Sequence, residues 1–157
     1  MRAYRKLLLA VFFSAVFVSA CSASGDAPNG TASEIASNIF AEAGVEPFGG
    51  TVSIDTEESM EYYLGSTNYP PFTDSAVVEP MINIDARILY VLIVESAGDA
   101  ADVVAQLEVD VDPSRLICVS FAMEDVVIDS RDNVVFMVID SDHAERDALA
   151  AGFATID

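Results

Sequence analysis

Two thiols, one imidazole and 26 carboxylates are the groups in this chain with chemistry to offer. The carboxylates gather most conspicuously at Asp110-Val111-Asp112 and at Asp140-Ser141-Asp142-His143, the second of which adds the sole imidazole. Alternating acids invite a cation. A calcium loop, however, needs several oxygens at set spacing, a glycine at its sharp turn and a closing glutamate, and neither cluster has the last two. Both read instead as carboxylates capping the exposed amides of helix starts. His143 could act as a base, yet catalysis wants a nucleophile and an orienting partner beside it. No GxSxG, HExxH or paired-cysteine motif supplies them. One His and one apolar-flanked Cys cannot complete a zinc site. Paired acids of the glycosidase kind stay open among so many carboxylates, although a short chain without tryptophan is a weak candidate. No catalytic, cofactor-binding or metal-ligating residue is therefore assigned, and no cofactor is expected.

Cys21 has a chemistry of its own. Met1–Lys6 carries Arg2, Arg5 and Lys6, and Leu7–Val18 is apolar apart from Ser14. A basic start, a short apolar core and small residues before a cut describe a secretory signal peptide over residues 1–20. The apolar run is well short of the roughly 20 residues a spanning helix needs. Val18-Ser19-Ala20-Cys21 then has the form of a bacterial lipobox. Small side chains admit the peptidase, and the thiolate is the nucleophile that takes up diacylglycerol. Ordinary cleavage after Ala20, leaving a free thiol, is the alternative. Two acyl chains hold a protein stably on a bilayer at about 0.8 kcal/mol per buried methylene. Residues 22–30 contain only Ser, Ala, Gly, Asp, Pro and Asn, so 21–30 is expected to be a lipidated cysteine followed by a flexible leash.

Residues 31–157 have the length of a single domain. All 26 acids lie beyond Cys21, against four basic residues, Arg87, Arg115, Arg131 and Arg146, so the mature formal charge is 4 − 26 = −22. Nucleic-acid binding wants the opposite sign, and an anionic bilayer surface would repel the domain. Cations or basic partners fit the charge; so does plain solubility. Cys118, inside Leu116–Phe121, loses its only disulfide partner once Cys21 is a thioether and reads as a buried structural thiol.

The elements that must position these groups follow from caps and periodicity. Thr31-Ala32-Ser33-Glu34 is a capping box opening a helix that Gly44 stops. Residues 45–51, with Pro47 and Gly49-Gly50, read as a loop. Asp55-Thr56-Glu57-Glu58 starts a second helix, closed by Gly65. Tyr69-Pro70-Pro71-Phe72 is an extended aromatic loop, more readily a cover for the core than a sugar or peptide platform. A strand near 77–84, interrupted by Pro80, suggests a sheet edge or a bulge. Strand 88–95 is apolar without alternation, which predicts cover on both faces. A helix follows from Ser96. Asp112-Pro113 signals a further helix start, with strand as the alternative over 113–122. Strands near 125–130 and 133–140 make a hairpin around Ser130–Asn133, and Asp142-His143-Ala144-Glu145 caps a last helix. The predicted fold is α+β: a small, mainly antiparallel sheet packed with four or five helices.

The helix at Thr31, the strand RILYVLIVES, the helix after Gly98 and the segment EDVVIDSRDNVVFMVIDSDHAERDALAAGF together resemble the bacterial lipoprotein family called domain of unknown function 4358. The resemblance covers most of residues 31–153. It implies an exported α+β domain on a lipid anchor and supplies no activity or site residues. The resulting expectation is a lipoprotein on the outer face of a bacterial membrane, anchored through Cys21, whose domain contacts an unknown protein or envelope partner without catalysing a reaction. A solute- or cation-binding lipoprotein is the second reading, and a small envelope hydrolase using acidic residues the third.

Overall fold

The computed structural model describes residues 26–82, 86–114 and 119–157. The segment read as a signal peptide, Cys21 and Cys118 lie outside them. In chain order the elements are α1 (Ala32–Ala43), β1 (Gly50–Val52), α2 (Glu57–Leu64), β2 (Asp74–Glu79), β3 (Arg87–Ile93), α3 (Ala97–Asp110), a 3-10 turn (Met123–Asp125), β4 (Val126–Arg131), β5 (Val134–Asp140) and α4 (His143–Thr155). The strands form one antiparallel sheet in the order β1-β2-β3-β5-β4. The fold is α+β, with helices on both faces.

Caps place the helices where the sequence puts them. Thr31 accepts the Glu34 amide while the Glu34 carboxylate takes the Thr31 amide, and Gly44 ends α1 at φ 66, in the left-handed region. Thr56, Ser96 and Asp142 cap α2, α3 and α4. The unalternating run of β3 resolves into period two, shared between two cores. Ile88, Tyr90 and Leu92 join Val135, Met137 and Ile139 of β5 under α2 and α3. Leu89 and Val91 join Phe136 and Val138 beneath α1 and α4. Phe136 and Phe153 stack there with ring centroids 4.9 Å apart.

Several expectations change. β1 occupies part of the segment read as a loop; it is an exposed three-residue strand that exists by pairing with β2. β2 begins at Asp74 and ends before Pro80, and with β1 on one side and β3 on the other it is interior. Proline terminates the strand and marks no sheet edge. Within 113–122, the described residues Pro113, Ser114 and Val119–Ala122 form turn and irregular backbone rather than helix or strand. Asp112 serves a local turn, accepting from the amide and hydroxyl of Ser114 at 2.9 and 2.7 Å. Residues 26–29, read as part of a flexible leash, are held against the domain. Pro28 is buried, Ala27 packs on the α1/α4 core, and the Asn29 amide donates to the Asp157 carbonyl at 3.2 Å.

Register divides the molecule into two ends. Arg87, Asp140, Val126 and Glu79 lie at one, called upper here. Ile93, Val134, Arg131 and Asp74 lie at the other, lower end.

Candidate functional site

The upper end gathers most of the charged chemistry. Arg87 opens β3 and faces Asp140, the last residue of β5, as its register partner. Asp140 is fully buried, and its Oδ2 accepts from both Nε and Nη2 of Arg87 at 3.1 Å. Its Oδ1 accepts the Asp142 amide at 2.8 Å, shaping the approach to α4. Glu145, in the first turn of α4, pairs with the same guanidinium. The guanidinium carbon of Arg87 lies 4.6 Å from the Phe48 ring centroid, a cation–π contact. A buried carboxylate so neutralised fixes three elements together.

Beside it, His143 Nε2 lies 2.9 Å from Asp125 Oδ1. An ionised carboxylate can only accept, so this bond takes its proton from the imidazole. Asp125 also accepts the Ala122 amide at 2.7 Å. That backbone bond, followed by the bond to His143, holds its carboxyl below the ordinary aspartate range. Arg146 donates to the Glu124 carbonyl and pairs with Asp147. The His143–Asp125 and Arg146–Glu124 contacts from α4 dock the 3-10 turn in front of β4. Among the described residues, His143 bonds to Asp125 alone, so the pair orients an imidazole without presenting it to a nucleophile.

The two acidic clusters separate into individual tasks. Asp142 caps α4, accepting the amides of Ala144 and Glu145. Asp110 lies at the end of α3 rather than at a helix start. There it accepts from the Tyr69 hydroxyl at 3.0 Å and from Gln106 at 2.8 Å, donors that temper a carboxylate at the negative end of a helix. Tyr69 is buried against the core, as a covering aromatic should be. Among the described residues, no group of three or more His, Cys, Asp or Glu side chains could hold a metal ion, and no helix is long and apolar enough to cross a membrane.

Below Tyr63, between α3 and the sheet, Leu64, Leu107 and Met137 line a cavity of about 20 Å³, the room of about one water. What the upper end offers instead is surface. Met81, Ile82, Val109 and Met123 are 93, 73, 78 and 51% exposed. All four stand where β2 ends, α3 ends and β4 begins. Sequence reasoning missed Arg87 as the partner of Asp140 and Asp125 as the partner of His143. Arg87 and Asp140 meet across 53 residues of chain, and no local pattern announces such a pair. No family model, curated protein or solved structure matches the chain.

Proposed function

We propose that this is a bacterial surface lipoprotein, held on the outer face of a membrane by acyl chains on Cys21, whose domain makes contacts rather than catalysing a reaction. The observation that carries this reading is Val18-Ser19-Ala20-Cys21 behind a basic and apolar leader. The resemblance to the lipoprotein family named above points the same way. A contact role is supported by the upper end, which carries exposed apolar side chains as well as ion-paired ones. Described arginines at this end are engaged internally: Arg87 by Asp140 and Glu145, and Arg146 by Asp147 and the Glu124 carbonyl. The rest of its charge is acidic, so the partner is a protein or envelope surface that is apolar at its centre and basic at its rim.

Photo-crosslinking residues placed at Ile82, Val109 and Glu95 in intact cells test the contact. Specific adducts from the first two and none from Glu95 are expected. Absence of adducts at Ile82 and Val109 overturns the contact reading. Anchoring is read separately by cell fractionation, since Cys21→Ala should move the protein out of the membrane pellet.

A further inference from the structure

Arg131, the last residue of β4, is buried, and its described hydrogen bonds run to backbone carbonyls. Nη1 donates to the carbonyls of Phe153 and Ile156 at 2.9 and 2.6 Å, and Nη2 to the carbonyl of Asp26 at 2.9 Å. The guanidinium therefore sits at the negative end of α4 and grips the chain ahead of α1. The Asn29–Asp157 bond, the buried Pro28 and the Ala32 amide on Asp74 at 2.8 Å fasten the same segment to the lower end. Only five residue steps separate Cys21 from Asp26. Fully extended they span about 17 Å, whereas a leash free through Gly30 would reach about 30 Å.

We propose that the lipidated protein stands end-on, its lower end facing the lipid headgroups and its upper end directed outward. The proposal rests on acylation of Cys21. Asp26 then lies within about 17 Å of the anchor, at the same end of the domain as the hairpin turn at Asp132-Asn133, the end of α4 and Asp74. The seven residues of β3 raise the upper end about 23 Å further. The exposed side chains of Met81, Ile82, Val109 and Met123 are thereby held where a partner approaching the cell surface meets them. Asp26, Asp74, Asp132 and Asp157 at the lower end keep the domain off an anionic surface within a Debye length, about 8 Å.

The test uses full-length lipidated protein reconstituted into phosphatidylcholine vesicles carrying an energy-transfer acceptor on a fraction of the headgroups. A donor is attached to Asp157→Cys or to Ile82→Cys, each in a Cys118→Ser background. Transfer from position 157 should exceed that from position 82 at least about twofold, given the difference of about 23 Å in height. Inserting a long Gly-Ser segment after Ser24 should bring the two towards equality while leaving thermal unfolding unchanged. Equal transfer at native tether length, or stronger transfer from position 82, overturns the proposal. Protein that fails to enter vesicles at all refutes the acyl anchor, a different failure with a different readout.

Discussion

Replacing Arg131 by methionine keeps a long apolar stem and removes the fork that holds three carbonyls. Two of those bonds, to Phe153 and Ile156, are buried, and hydrogen bonds from a charged donor contribute at least about 1.5 kcal/mol each. The third, to Asp26, is only partly buried and adds less. Losing a cation at the end of α4 removes up to about 1 kcal/mol, which relief of guanidinium desolvation offsets. The expected loss is about 3 kcal/mol, or a drop in Tm of roughly 10 °C for a domain of this size. Urea unfolding measures the free energy, and hydrogen exchange locates it. The Asn29 amide, bonded to Asp157, should lose protection well before the β3 and β5 amides do. A loss below about 1 kcal/mol, or an Asn29 amide as protected as before, would refute the clamp.

Four further outcomes follow from the same contacts. A Cβ on Gly152 would lie 2.9 Å from the Ile39 carbonyl oxygen, so Gly152→Ala should lose about 1–2 kcal/mol by chemical denaturation despite its better helix propensity. Arg87→Met strands the buried Asp140 and should lose about 3 kcal/mol, the low end for breaking a buried pair because Arg87 is part-exposed. The depressed Asp125 carboxyl stabilises the fold above its unfolded pKa, and that stability fades as pH falls through the folded value. An acid titration of stability should therefore show wild type and Asp125→Asn converging at low pH. Tyr63 has its phenol pushed up by burial and then by its bond to Glu79, 2.7 Å away. It should ionise above the ordinary tyrosine range, and a spectrophotometric alkaline titration of Tyr63→Phe should lack one high-pH step of the wild-type curve.

Local chemistry was legible in the sequence, and long-range pairing was not. Thr31, Thr56, Ser96 and Asp142 announced four helices because a cap acts within three residues of itself. The hairpin was legible because β4 and β5 are contiguous; the turn narrows to Asp132-Asn133, with Asp132 at φ 49. β1 was hidden because Gly50-Thr51-Val52 has no apolar pattern of its own. Asp74 and Ser75 concealed the start of β2, since the buried Ser75 hydroxyl is satisfied by the backbone of Ile54. Asp112-Pro113 misled because an aspartate that can cap a helix can equally bond two residues ahead in a turn. Arg131 had no local signal: its bond to Asp26 spans 105 residues.

Intact mass analysis of the mature N-terminal peptide, taken from membranes of cells making the wild-type chain and Cys21→Ala, tests the anchor most directly. A chain starting at Cys21 with a diacylglyceryl mass on its sulfur is expected, and no such mass in the variant. A wild-type chain bearing an unmodified thiol, or found free in the medium, would contradict it.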